Sequence, residues 1–414
     1  MNVKKIAIIC IVLLCGNNAF AQDKKQWHFD LSNPRNAVSY TSSNGAGFDF
    51  NTNNSKKDTP FYFSTEVKEG NYLVTVTLSS IQGTTVKAES RRLMLENVKT
   101  KANEFVTKSF VVNIKDRKIN AKDTVKLKER ELTKLDWDHK LTLEFDQYAT
   151  VKTISIKKVD DQITVFLAGN STVVNGDTEP WAAWGQMIPR FFKPGVAISN
   201  HAESGLTLGS FLASKRLDKI ISIIKPGDYL FIEFGHNDQK DKGPNDGAYK
   251  AYTARLKLYV AQAKAKGGIP VIVTPTSRRK FSAEGKMENT LGDFPDAARK
   301  VATAEQVVLI DLNQLTETLF NAMGDEPSKK AFVHYPANTY PGQDKPLADN
   351  THFSPYGAYE IARCLVEGIK NTHLPLADFL MDPKQKFDPA RPDDIEKWKW
   401  PESIRISLVK PDGN

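Results

Sequence analysis

Cysteine is nearly absent: the 414 residues hold three, and Cys10 and Cys15 both lie near the N-terminus. The one beyond it, Cys364, has no nearby partner for an internal disulfide, so stability must come from apolar cores. Cys364 stands among Ile361, Leu365 and Val366 and reads as a small buried hydrophobe. Long apolar runs are missing too. The N-terminal run over 6–14 is too short to cross a bilayer. Charged residues make up 26% and hydrophobic residues 40%, which excludes multi-span membrane, collagen-like and disordered classes. No basic run carries interleaved aromatics, so nucleic acid is not an expected partner. The formal charge of +8 is spread along the chain and tolerates an anionic substrate. No HExxH or cysteine-rich spacing calls for a metal.

The N-terminus carries Lys4 and Lys5, the apolar run, and then Ala19-Phe20-Ala21. That order predicts a signal peptide over 1–21 and a mature chain from Gln22 with a charge of about +6. The protein is then exported, periplasmic or extracellular, with no membrane contact after cleavage. Cys15 offers a lipid anchor as the alternative. Leu14 argues against it, because a small side chain is expected before a lipidated cysteine.

Over 22–159 the apolar pattern has period two. Tyr72, Val74, Val76 and Leu78 alternate with Leu73, Thr75 and Thr77. Phe110, Val112 and Ile114 repeat the pattern, as do Leu141, Leu143 and Phe145. Glu69-Gly70-Asn71 and Gln82-Gly83 mark turns. This predicts an antiparallel β-sandwich, an accessory domain in which no site is evident. Over 160–377 the pattern changes to apolar strands at 163–168, 196–198, 228–234, 269–274 and 307–312. Helical stretches at 207–224, 248–266 and 296–304 lie between them. A last helix is capped by Ser354 and Pro355. Its apolar face is Ala358, Ile361, Ala362, Leu365, Val366 and Ile369. The expected fold is α/β: a flavodoxin-like, three-layer parallel sheet preceded by the sandwich. Residues 378–414 read as an irregular tail, with Trp398 and Trp400 docking onto the sandwich.

Ligands of such sheets sit at the carboxyl ends of the strands. Four polar runs fall there: Gly169-Asn170-Ser171-Thr172, Asn200-His201-Ala202-Glu203-Ser204-Gly205, Gly235-His236-Asn237-Asp238, and Asp349-Asn350-Thr351-His352 before the last helix. Together they supply a hydroxyl, an imidazole, a carboxylate and amide donors, the parts needed for acyl transfer. The Asp-x-x-His spacing predicts base and orienter on one turn leading into a helix.

These runs, in this order, resemble the SGNH (GDSL-type) hydrolases, and most closely their rhamnogalacturonan acetylesterase branch. Trp184-Gly185-Gln186, Thr274-Pro275 and Asp349-x-x-His352-Phe353 share the resemblance, which covers about 161–375. It implies Ser171 as nucleophile, His352 as general base and then acid, and Asp349 as orienter. It implies an oxyanion hole from the amides of Ser171 and Gly205 and the side chain of Asn237, with no metal or cofactor. Trp184, His201 and His236 are candidate substrate contacts, Glu203 a rim residue, and Trp181 either stacks on sugar or packs its loop. Two positions depart from the pattern. Asn170 replaces an Asp and keeps an acceptor oxygen, and Leu206 replaces an Arg that touches substrate. The expected function is exported serine O-acetylesterase acting on acetylated pectic polysaccharide or oligosaccharide, most simply rhamnogalacturonan. A lipase- or thioesterase-like esterase and a non-catalytic polysaccharide-binding protein are the rivals. The oligomeric state is not legible.

Overall fold

A computed structural model of the chain describes residues 25–33, 38–55 and 59–412. The features read at residues 1–21, Cys15 included, lie outside the described residues.

The first part is antiparallel β-structure. Its strands are β1 (Gln26–Asp30), β2 (Ala46–Asp49), β3 (Phe61–Glu66), β4 (Gly70–Ser79), β5 (Thr84–Ala88), β6 (Arg92–Val98), β7 (Val106–Ile114), β8 (Lys140–Phe145) and β9 (Thr150–Val159). They form two sheets, ordered β1-β9-β4-β7 and β2-β3-β8-β5-β6. In β4 the alternation holds: Tyr72, Val74, Val76 and Leu78 are buried and the residues between them less so. They meet Phe110 and Val112 of β7, Leu141, Leu143 and Phe145 of β8, and Ile154 and Ile156 of β9 in one core. Full burial of each such side chain contributes about 1.5–3 kcal/mol, so the core stands without disulfides.

The second sheet breaks the alternation. All of β5 is buried, Lys87 included, and so are Glu89, Arg91 and Arg92 beyond it. Lys87 Nζ donates to the Pro401 carbonyl at 2.6 Å and Ser403 Oγ at 2.9 Å, and pairs with Glu144 at 3.2 Å. Arg91 pairs with Glu179 and donates to the carbonyls of Thr178 and Trp181. Buried charges persist only when paired. Here the partners come from the second part of the chain and from the tail, which cover this face.

The second part has a parallel sheet of β10 (Ile163–Gly169), β11 (Val196–Asn200), β12 (Tyr229–Glu233), β13 (Ile269–Val273) and β14 (Val308–Ile310), ordered β11-β10-β12-β13-β14. This is the flavodoxin-like strand order. Its helices are α1 (Trp184–Met187), α2 (Leu208–Ala213), α3 (Arg216–Ile223), α4 (Thr253–Ala265), α5 (Phe294–Ala304), α6 (Leu312–Met323), α7 (Asp325–Ser328) and α8 (Pro355–Asn371). Strand residues alternate between two cores. Val165, Leu167, Phe231, Val271 and Val273 pack with α1, α6 and α8. Phe166, Ala168, Leu230, Ile232 and Ile272 pack with α2 through α5. The three layers read from the sequence are therefore present.

Four local features differ from expectation. The stretch 207–224 is two helices, because Lys215 takes φ +60° and its ammonium pairs with Asp123. The run 307–312 is strand only to Ile310, and Asp311 instead caps α6 through the Gln314 amide. An antiparallel pair, β15 (Phe332–Tyr335) and β16 (Leu347–Phe353), has no counterpart in the sequence reading. Helix α8 is capped by Ser354 and buries Cys364 as predicted, but Tyr356, Tyr359 and Glu360 are buried beyond its expected face. The tail covers them. Tyr356 donates to the Asp393 carbonyl at 2.6 Å, and Trp398 lies 5.2 Å from the Tyr359 ring. Trp398 also donates to Glu96 of β6 at 3.2 Å, so the tail docks on both parts.

Candidate active site

The nucleophile loop leaves β10 at Gly169 and is held from within. Asn170 Oδ1 accepts from the Thr172 amide at 3.0 Å and its hydroxyl at 2.9 Å. The position that departs from the family's Asp thus acts on the loop, through an acceptor oxygen that Asn shares with Asp. Thr172 Oγ1 also lies 2.9 Å from Glu233 Oε1, and Glu233 Oε2 accepts from Trp184 Nε1 at 2.6 Å. Burial pushes the Glu233 carboxyl up to about 7, against the opposing hydrogen bonds of Trp184 and Thr172. The second loop is tied to the first by Asn200, whose Nδ2 donates to the Val173 carbonyl at 2.6 Å and Asn175 Oδ1 at 2.8 Å.

Ser171, His352 and Asp349 form one hydrogen-bonded row. His352 Nε2 lies 3.0 Å from Ser171 Oγ, and His352 Nδ1 lies 2.8 Å from Asp349 Oδ2. With the carboxylate on Nδ1, the ring carries its proton there and offers Nε2 as acceptor to the serine hydroxyl. Asp349 Oδ1 accepts from the Thr351 and His352 amides at 2.7 and 3.0 Å. Burial pushes its carboxyl up, but the His352 hydrogen bond, the imidazole charge and these amides outweigh burial. The net effect holds it well below the usual carboxylate range. Such a row can deliver an activated oxygen nucleophile to a carbonyl.

The placement of Asp349 and His352 corrects one expectation. They lie in β16, not in a turn that opens the helix. Pairing jumps from His334 opposite Ala348 to Phe332 opposite Phe353, so 349–352 bulge out of the ladder. The Asp349 side chain supplies the bonds that the ladder loses there.

Gly205 sits in a turn at φ +78°, a conformation that side chains disfavour. Asn237 Nδ2 donates to the Leu206 carbonyl at 3.1 Å, joining the third run to the second. The three candidate substrate contacts are corrected. Trp184 is buried beneath the loop on Glu233. His201 is fully buried, with Nε2 3.0 Å from Ser199 Oγ and its ring against Trp137. His236 is buried, and no hydrogen bond is made by its ring nitrogens among the described residues. Burial, then Arg278 and His352, keep the His236 ring neutral.

A cavity of about 380 Å³ opens over Ser171 and His352. Trp181 lines it, edge-on to the His352 ring at 5.9 Å, and donates to the Ser407 carbonyl. Glu203 lines it as well, paired with Lys134 and Arg130 at 2.7 and 2.9 Å. These cations hold the Glu203 carboxyl down at about 2 against its burial. The remaining walls were not legible in the sequence. Arg130, Thr133 and Lys134 come from a loop of the sandwich part, and Arg405, Ser407, Val409 and Lys410 from the tail. No local motif marks either segment.

The parallel sheet with Ser171 at a strand end, joined in one row to His352 and Asp349 of β16, defines a hydrolase of the serine type. Residues 167–358 match the GDSL-like lipase/acylhydrolase family. The chain is 42% identical over 226 residues to rhamnogalacturonan acetylesterase RhgT of Bacillus subtilis (strain 168), covering 54% of this chain and 97% of that one. It is 33% identical over 223 residues to "Probable rhamnogalacturonan acetylesterase YesY" of the same strain, covering 52% of this chain and 97% of that one. The crystal structure of YxiM from Bacillus subtilis is similar over 85% of this chain and 89% of that one, at 22% identity and a TM-score of 0.48. The chain belongs to the GDSL-like lipase/acylhydrolase family and is a carboxylic ester hydrolase.

Proposed function

We propose that the protein is an exported carbohydrate O-acetylesterase that deacetylates pectic polysaccharide, with rhamnogalacturonan as its substrate. The observation that carries the chemistry is the row from Ser171 Oγ through His352 to Asp349, at 3.0 and 2.8 Å, open to a cavity. The substrate class is supported by two relatives that bear that substrate's name and match along nearly their whole length. Charged side chains of both signs line the cavity beside Val174, Trp181, Ala182 and Val409, which sets it apart from a wholly apolar acyl channel.

The Ser171-His352-Asp349 row supports a two-step acyl transfer. Ser171 Oγ attacks the acetyl carbonyl while its proton passes to His352 Nε2, and Asp349 stabilises the imidazolium. The carbonyl oxygen becomes an oxyanion, met by the amides of Ser171 and Gly205 and by Asn237 Nδ2. The bond to the sugar oxygen breaks, and that oxygen takes the proton from His352. The acetyl group is then on Ser171. Water, deprotonated by His352, releases acetate and restores the serine.

Acetate release from acetylated rhamnogalacturonan, with acetylated xylan beside it, tests this reading. Release from the pectic polymer by wild type and not by Ser171→Ala is expected. Release from xylan alone refutes the pectic substrate, and equal release by both proteins refutes the nucleophile. Export rests on Lys4, Lys5, the run at 6–14 and Ala19-Phe20-Ala21. N-terminal sequencing of the protein made in its own cells should begin at Gln22; an intact Met1 or a lipid on Cys15 refutes soluble export.

A further inference from the structure

The cavity over Ser171 carries charges of both signs, with cations in excess. Arg130, Lys134, Arg405 and Lys410 line it, against the carboxylates of Asp177 and Glu203. These cations are not equally occupied. Lys134 is committed to Glu203 at 2.7 Å, and Arg130 to Glu203 at 2.9 Å and Asp412 at 2.7 Å. The two on the tail are less engaged. Arg405 Nη2 reaches the Thr133 carbonyl and Asp177, each at 3.3 Å, the long end of hydrogen bonding. Its Nη1 is buried and makes no hydrogen bond among the described residues. Lys410 has a half-exposed side chain, and its ammonium lies 3.4 Å from Asp349 Oδ2, beside the reacting row.

A buried donor without an acceptor is costly, about 1–3 kcal/mol. A guanidinium and an ammonium on the wall of one cavity suit a carboxylate, which can take charge-assisted hydrogen bonds from both. The tail that carries them is fixed rather than loose. Ser403 Oγ bonds Glu144 at 2.6 Å, Trp181 Nε1 bonds the Ser407 carbonyl at 2.9 Å, and Asp412 pairs with Lys128 at 3.1 Å. The Asp412 Cβ stands 2.7 Å from the place a Cβ on Gly205 would take, so the tail closes down on the second loop.

We propose that Arg405 and Lys410 form a carboxylate subsite beside Ser171. It holds the uronate of an acidic oligosaccharide while the acetyl group of the same oligosaccharide reaches the serine. This rests on the carbohydrate acetylesterase reading above and names what that site recognises. The tail is then a specificity element of the catalytic site, and the sandwich loop braces it through Thr133, Lys128 and Arg130.

The test uses acetylated rhamnogalacturonan oligosaccharides in native form and with their uronates reduced to neutral sugars. Wild type should act on the native form with kcat/KM at least about tenfold higher, mainly through KM, and about 0.5 M NaCl should narrow the gap. Arg405→Gln and Lys410→Gln should each shrink the native-to-reduced ratio by most of that factor. Equal kcat/KM on both forms overturns the subsite while leaving the esterase reading intact. Variants that slow both forms alike overturn it too, since that marks a structural role. Failure of wild type on both forms, with p-nitrophenyl acetate still hydrolysed, overturns the pectic reading and the subsite with it. A measurement free of variants is inhibition of p-nitrophenyl acetate hydrolysis in wild type. Oligogalacturonate should compete and neutral xylo-oligosaccharide should not; equal inhibition by the two overturns the subsite.

Discussion

The two sides of the cleft are built by opposite means. On one side, Ser171, Gly205 and Asn237 follow strands β10, β11 and β12 of a single sheet, and each loop is fixed by its own polar residues. On the other side, Lys134 and Lys410 are far apart in the chain and line one cavity only because the tail folds back over the sandwich part. The reacting side is preorganised by hydrogen bonds within and between the loops at the strand ends, which suits groups that must stabilise a transition state. The facing side is held by ion pairs between distant segments, Lys134 and Arg130 with Glu203 and Arg130 with Asp412. Chemistry and recognition are thus carried by different parts of the fold, and substitutions should separate them.

The largest effects belong to the reacting side. Ser171→Ala and His352→Ala should each lower kcat by at least about 10³ with an unchanged melting curve. Acetate release and circular dichroism on the same preparations check this. Asn237→Ala should lower kcat by about 10²–10³ and move KM only a few-fold, because its side-chain amide matters once the oxyanion forms. Asn237→Asp keeps the shape but sets a carboxylate there and should be at least as damaging. Steady-state kinetics showing near-normal kcat in Asn237→Asp would reduce Asn237 to a tether of Leu206.

On the facing side the expected loss is in stability. Lys134→Ala leaves Glu203 buried with Arg130 alone, a loss of about 2 kcal/mol, since breaking a buried pair outright costs about 3–5 kcal/mol. The folded Glu203 carboxyl, held at about 2, lies below its ordinary range. Its contribution is therefore full above that range and is lost as pH falls toward about 2. Melting temperature against pH should show a flatter acid limb in Lys134→Ala than in wild type; parallel limbs would mean that Lys134 does not govern Glu203.

A second pH effect, confined to stability, lies under the nucleophile loop. Glu233 has a folded value of about 7, above its ordinary range, so it weakens the fold as pH rises from that range through about 7. Glu233→Gln mimics the protonated form. It should match wild type most closely near pH 5 and gain on it steadily as pH rises through about 7 toward 8. Urea unfolding at the two pH values reads this, and an equal difference at both would exclude titration of Glu233.

The contrast between the two sides also explains what the sequence tells. Ser171 and Asn237 stand in short runs next to strands with continuous apolar signals, and Asp349 and His352 stand just before a capped amphipathic helix, so period and punctuation locate them. The alternation of Tyr72 through Leu78 likewise gives the sandwich core. Burial of Lys87, Arg91 and Glu360 is invisible locally, because their partners lie across the molecule at Ser403, Glu179 and Asp393. Trp184 and His236 look like ligands for sugar by composition, yet the layers bury both. Arg405 sits in a segment without periodicity, and only the folded tail shows what it faces.

The central claim is that Ser171 is the nucleophile and that His352 activates it. Labelling the intact enzyme with a serine-directed phosphonate, followed by peptide mass analysis, tests this most directly. One adduct per chain is expected, on the peptide containing Ser171, with its formation slowed by at least about 10³ in His352→Ala. An adduct on another serine, or a Ser171→Ala protein that still labels and still releases acetate, would contradict the account.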